Sequence, residues 1–90
     1  MVESIKEVKR TLSFDLAEMY NALPKKSKRD VKDLFNKKND LPKDGRINGL
    51  IGLRESISPR EESYLRTVIT YFYDYMNGVE TMSFETIENL

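Results

Sequence analysis

The chain of 90 residues contains no cysteine and no histidine. Without cysteine it can form neither a disulfide framework nor a thiolate metal site. These two residue types supply the commonest nucleophile, the commonest general base and the commonest transition-metal ligands of enzymes. We therefore predict a protein that is not an enzyme and that uses no metal, no cofactor and no small-molecule substrate.

Long apolar runs are also missing from the sequence. The first ten residues, MVESIKEVKR, lack the continuous apolar stretch of a secretion signal, and no later run approaches the length of a membrane span. The absence of cysteine fits a reducing compartment. We expect a protein that makes no membrane contact and is located in the cytoplasm.

The charges balance over the whole chain but not along it. With 39% hydrophobic residues and a formal net charge of zero, the chain has the composition of one small folded domain. Residues 1–24 hold 3 basic and 4 acidic groups, residues 25–46 hold 9 and 4, and residues 47–90 hold 3 and 7. We predict a single helical domain over 1–90, with a basic middle segment and an acidic C-terminal half.

The stretch from Ser58 to Gly78 carries the boundary signals of a helix. Ser58 is suited to the N-cap, Pro59 to the first helical position and Glu61 to the N3 position of a capping box. Gly78 can adopt the left-handed conformation that ends many helices. The sequence therefore predicts a central helix over 59–77.

The spacing of apolar residues within this stretch also favours a helix. Residues on one side recur at three- and four-residue steps: Leu65, Val68, Ile69, Phe72 and Met76. The segment VITYFYDY is rich in β-branched and aromatic residues, as strands are, but its polar positions do not alternate every two residues. The paired carboxylates Glu61 and Glu62 lie in the first helical turn, where the macrodipole explains them better than acid–base catalysis does.

A first helix is predicted from about residue 4 to residue 23, where Pro24 ends it. Its apolar residues recur at helical spacing: Ile5, Val8, Leu12, Leu16, Met19 and Leu23. Residues 11–15 are its weak point, because Asp15 with Glu18 could cap a shorter helix. A kink or a late start is expected there.

A second, basic helix is predicted to open at Ser27, with Asp30 at N3, and to end near Lys38. The turn that follows over 41–45 has the sequence LPKDG, in which the Asp-Gly pair tolerates positive φ. The sequence therefore predicts that the basic segment ends in a loop.

Two short helices complete the prediction. Residues 46–55 form the first, although Gly49 and Gly52 each cost about 1 kcal/mol in a helix relative to alanine. These glycines allow either close approach of a neighbouring helix or a flexible, ligand-contacting loop. A capping signal at Ser83 predicts a last helix of at most two turns.

Three tyrosines, Tyr64, Tyr71 and Tyr75, fall along one edge of the central helix, beside its apolar face. They widen the apolar surface to more than half of the helix circumference. Such an edge is typical of a protein-interaction surface, or of tyrosines that flank the core with their hydroxyl groups in water. We predict that these three residues form the interaction site.

The basic segment 25–46 is the feature that could bind nucleic acid. Its candidate contact residues are Lys25, Lys26, Lys28, Arg29, Lys32, Lys37, Lys38 and Arg46, together with Lys43. There are two alternatives to nucleic-acid binding. The basic residues form a helix face exposed to solvent, or they pair with acidic residues of the C-terminal half in the same chain or in a second copy. No helix-turn-helix fits: at the corner near Ser56, Glu62 takes a position that requires an inward hydrophobic residue.

We therefore expect an all-α protein, a small bundle of four to five short helices around the helix 59–77. The favoured function is a non-enzymatic protein-interaction module, such as a bacterial or phage regulator or inhibitor. Its partner would be another protein or a second copy in a homodimer. The alternative is a nucleic-acid-binding protein that uses residues 25–46.

Overall fold

The computed structural model describes residues 10–79 and 82–90, and within them the chain is helical without β-strands. The helices are α1 (Phe14–Asn21), α2 (Lys25–Asn39), α3 (Gly45–Ile51), α4 (Pro59–Met76) and α5 (Phe84–Glu88). α4 packs against α1 and α2, most extensively against α1, and α3 packs against α2. The predicted all-α bundle around a central helix is confirmed.

Local hydrogen bonds define both ends of α4. At its start the Ser58 hydroxyl accepts from the Glu61 N–H (3.1 Å), and the Glu61 carboxylate accepts from the Ser58 N–H (3.0 Å). At its end Gly78 has φ +84°, and the Val79 N–H donates to the carbonyl of Asp74 (2.8 Å). These are the capping box and the left-handed stop that the sequence predicts.

α1 is shorter than predicted. Residues 4–9 lie outside the described residues. Residues 10–13 are not helical, so the helix prediction is wrong over those four positions, and the late start expected near residues 11–15 is confirmed. The carbonyl of Arg10 accepts instead from the N–H of Ile57 (2.7 Å), and the N–H of Ser13 donates to the Glu62 carboxylate (3.1 Å). Because these main-chain groups bond to a part of the chain that is distant in sequence, α1 begins only at Phe14, one residue before Asp15.

α2 begins three residues earlier than predicted, since its N-cap is Pro24 and not Ser27. Pro24, with ψ 157°, is the residue before the helix, and its carbonyl accepts from the N–H of Lys28 (3.0 Å). Ser27 therefore lies inside α2 and does not cap it. At the other end the left-handed residue is Asp40 (φ +55°). The Asp-Gly pair, which tolerates positive φ, does not adopt it, and Gly45 begins α3.

The prediction of a short helix over 46–55 is confirmed for its first part, since α3 ends at Ile51. Of the two roles proposed for the glycines, close approach of a neighbouring helix is not supported by the atoms that lie nearest to them. A Cβ at Gly49 would collide with the side chain of Glu55, and one at Gly52 with the side chain of Arg54. Both glycines therefore make room for side chains of the loop that follows α3.

α5 follows its capping signal. The Ser83 hydroxyl accepts from the N–H of Thr86 (3.3 Å), and Ile87 anchors the helix in the core with none of its surface exposed. The core itself combines residues of all five described helices, and Leu65, Val68, Ile69 and Phe72 of the predicted stripe belong to it. Met76 does not, because 39% of its surface is exposed at the end of α4.

Candidate interaction surfaces

Four aromatic rings meet where the C-terminal part of α4 lies against α5. Tyr71, Phe72 and Tyr75 of α4 and Phe84 of α5, with Asp30 of α2 and Ser83, line an open cavity of about 410 Å³, which we call the aromatic groove. The ring centroids of Tyr71 and Phe72 are 5.0 Å apart, in an edge-on arrangement. The ring centroid of Phe84 lies 6.4 Å from that of Tyr71 and 6.1 Å from that of Phe72, so its ring completes the cluster.

The rings differ sharply in exposure. Tyr71 and Phe72 form the floor of the groove, with 5% and 7% of their surfaces exposed. Tyr75 and Phe84 form its walls, with 60% and 40% exposed. Tyr75 stacks on Tyr71 at 6.3 Å and an interplanar angle of 30°. The groove therefore has a fixed floor in the core and two rings that a ligand can reach.

Tyr64 lies away from the aromatic groove, near the first turn of α4. Its hydroxyl donates to the carbonyl of Leu34 (3.2 Å), its ring is 6.5 Å from that of Phe35, and burial raises its pKa. The Lys38 ammonium lies 5.8 Å from the centroid of the Tyr64 ring. The structure thus brings Tyr71 and Tyr75 together and places Tyr64 between α4 and α2.

Phe72, Phe84 and Asp30 are groove residues that the sequence does not assign to the site. The sequence pattern places Phe72 in the core stripe and Asp30 at a helix cap, and it predicts Phe84 only as part of the last helix. No periodic signal links these positions, because they lie on three different helices. One usable hint is that Phe84 immediately follows a capping serine, which places it at the accessible start of a helix.

The residues of the basic segment have different surroundings. Arg29 pairs with Asp33 (3.5 Å) and Asp44 (3.0 Å), and Lys38 donates to the carbonyl of Leu90 (2.7 Å). Arg46 binds Glu61 and Glu55, each at 2.8 Å. Within the described residues, the following make no ion pair: Lys25, Lys26, Lys28, Lys32, Lys37 and Lys43. The first four of these line an open cleft of about 650 Å³ beside the N-terminal half of α2.

The first-turn carboxylates of α4 have structural partners. Although burial opposes it, hydrogen bonds from Ser58 and Arg46 hold the pKa of Glu61 below its usual value. The hydrogen bond from Arg10 (2.7 Å) lowers the pKa of Glu62, and the Ser13 N–H adds to this effect against the opposing effect of burial. Glu61 caps its own helix, whereas Glu62 accepts from the residue that precedes α1.

The described part of the chain contains no group of three or more acidic side chains placed to hold a metal ion. None of its helices combines the length and the apolar composition needed to cross a bilayer. Comparison with family models, curated proteins and solved structures finds no match to the chain.

Proposed function

We propose that the protein is a small non-enzymatic interaction module of the cytoplasm that docks on another protein, or on a second copy, through the aromatic groove. A bacterial or phage regulator or inhibitor is the role that fits such a module. The observation that carries the proposal is the exposure of Tyr75 and Phe84, at 60% and 40%, beside the buried rings of Tyr71 and Phe72.

Aromatic residues in this arrangement suit docking for two reasons. A tyrosine or phenylalanine ring offers a large contact area with only two side-chain torsions to immobilise, so binding costs little conformational entropy. A floor that is already packed in the core keeps the walls in place before the partner arrives, which lowers the cost of binding further. Contiguous exposed rings are also the surface type that interaction sites favour.

Selection from a displayed library of random peptides tests this proposal. The selection uses the immobilised full chain, a Tyr75→Ser/Phe84→Ser variant, and Phe14→Ser as a matched control, because Phe14 is 63% exposed on α1 and outside the groove. Peptides should be enriched on the wild type and on Phe14→Ser but not on the double variant. Thermal melting checks that each variant is folded.

Two outcomes of that selection contradict the proposal. One is a set of peptides that bind the double variant as well as the wild type, and the other is a library that yields no enriched peptide. Sedimentation of the wild type and the double variant identifies the second copy as occupant if only the wild type dimerises.

Nucleic-acid binding by the basic segment is the second candidate. The lysines without ion pairs along the described α2, including Lys28 and Lys32, support it, because unpaired ammonium groups can contact phosphates. Reversing Lys28, Lys32 and Lys37 to glutamate should then abolish binding. We expect little binding of the wild type to duplex DNA at physiological salt, so sub-micromolar and strongly salt-dependent binding would favour this candidate over protein docking.

A further inference from the structure

We infer that the aromatic groove receives a cationic side chain, arginine or lysine, from its partner, with Asp30 as the counter-ion. The inference rests on the proposed docking function and adds the chemistry of the partner segment. It combines three features: a groove carboxylate without a partner among the described residues, the absence of basic residues from the sequence 67–90 that supplies α5 and the C-terminal part of α4, and exposed aromatic rings.

The carboxylate is that of Asp30, which lines the groove from α2. In the described part of the chain it makes no hydrogen bond and no ion pair. The neighbouring Arg29 does not neutralise it, because the Arg29 guanidinium binds Asp33 and Asp44. Lys26 lies one helical turn earlier and is exposed to water. A wholly apolar ligand would cover Asp30 and leave its charge unpaired, which is costly, whereas a cation would pair with it.

The α4 and α5 side of the groove belongs to a stretch of the sequence without basic residues. The sequence from residue 67 to residue 90 contains no lysine and no arginine. Its charged residues on α4 and α5 are Asp74, Glu85 and Glu88. The C-terminal end of α4, close to Tyr75, also carries the negative end of the helix macrodipole. On its α4 and α5 side the groove therefore suits a cation better than an anion. On its α2 side Asp30 also borders the cleft of lysines described above, none of which forms an ion pair with it among the described residues.

The rings supply the third feature. A lysine ammonium or an arginine guanidinium is attracted to an aromatic ring when it lies over the face within about 6 Å of the centroid. Tyr75 and Phe84 are the exposed rings of the groove. The aliphatic part of an arginine or lysine side chain can pack on the same rings while its charged end reaches the carboxylate.

The test uses two small probes of the same shape, n-butylguanidinium, which is charged, and n-butylurea, which is neutral. Each is titrated into the 15N-labelled full chain, and the amide signals of Tyr75, Ser83 and Phe84 are followed by NMR. The same titrations are run on Asp30→Asn and on the matched control Asp33→Asn, since Asp33 lies on the same helix but does not line the groove.

We expect n-butylguanidinium to bind with a dissociation constant in the millimolar range and n-butylurea to bind roughly fivefold more weakly or worse, as cation–π and charge contributions predict. Asp30→Asn should weaken n-butylguanidinium by a similar factor and leave n-butylurea unchanged. Asp33→Asn should change neither.

Equal binding of the two probes, no binding of either, or an unchanged affinity in Asp30→Asn would each overturn the inference. The proposed function is judged separately. Peptides that require Tyr75 and Phe84 but contain no cationic residue would leave docking intact and remove the assignment of a cation. Peptides that do not require the two rings would remove both.

Discussion

The contact of Glu62 with the segment before α1 gives the sharpest stability prediction. Among the described residues, Glu62 is the one charged residue in the buried set, with 9% of its surface exposed. Its carboxylate accepts from the Arg10 guanidinium (2.7 Å) and from the Ser13 N–H (3.1 Å). Ser13 makes no side-chain cap of its own. A side chain of α4 thus stabilises the start of α1, its main packing partner.

The two contacts differ in energetic weight. The Arg10 side chain is 58% exposed, so its pairing with Glu62 should contribute less than about 1 kcal/mol. A hydrogen bond from a partly buried N–H to a charged acceptor contributes about 1.5–3 kcal/mol. Glu62→Ala leaves the Ser13 N–H without its acceptor and should lower the free energy of unfolding by about 2–3 kcal/mol. Glu62→Gln can still accept that bond and should lose about 1 kcal/mol.

Urea unfolding at neutral pH, followed by circular dichroism, measures these values. Arg10→Met is the control that removes the ion pair alone, and it should cost at least about 1 kcal/mol less than Glu62→Ala. If Arg10→Met costs as much as Glu62→Ala, the ion pair and not the bond to Ser13 stabilises this contact. If Glu62→Ala is neutral, the reasoning fails altogether.

The pH dependence gives a second readout of the same contact. Because the pKa of Glu62 lies below its usual 4.5 in the folded chain, the ionised carboxylate stabilises the fold above that pH. This stabilisation disappears as the pH falls through the folded pKa. The difference in stability between the wild type and Glu62→Gln should therefore shrink towards zero below pH 4.5. If the wild type remains more stable than Glu62→Gln in acid, the ionised Glu62 carboxylate is not the source of the stabilisation.

Three further predictions concern single side chains and use the same unfolding measurement. Tyr71→Ser removes a buried ring and should lower the free energy of unfolding by about 3 kcal/mol. Tyr75→Ser changes an exposed wall of the groove, so its free energy of unfolding should stay within about 0.5 kcal/mol of the wild-type value. The Tyr20 hydroxyl is buried without a partner in the described chain, and burial, assisted by Asp44, raises its pKa to about 12. Tyr20→Phe should therefore be neutral or gain up to about 1 kcal/mol at neutral pH, and it should lose less stability than the wild type as the pH rises above 10. A Cβ would meet open space at both Gly78 and Gly45, but of these two only Gly78 has a positive φ. Gly78→Ala should therefore lower the free energy of unfolding by about 1 kcal/mol, whereas Gly45→Ala should not lower it.

The ends of α4 and the start of α5 could be predicted from the sequence because their hydrogen bonds are local. The partners in the capping box, Ser58 and Glu61, are three residues apart, and the Ser83 cap reaches Thr86 over the same distance. Gly78 needs only its own backbone freedom to end α4. Such interactions form within one helical turn, so residue type and spacing are sufficient to locate them.

The start of α1 and the aromatic groove depend on tertiary structure. The segment before α1 is held by Ile57 and Glu62, and no spacing rule connects residues so far apart in the chain. The position of Phe84 against α4 likewise follows from the burial of Ile87, which fixes α5 on the core. The sequence by itself determined the helical class of the fold, the ends of α4, the start of α5 and the tyrosine-rich edge of α4. Only the packing of α5 and α2 against that edge places Tyr71 on the floor of the aromatic groove, Tyr75 on its wall and Asp30 beside them. The reason is that the shared core, and not local hydrogen bonding, sets the relative positions of helices.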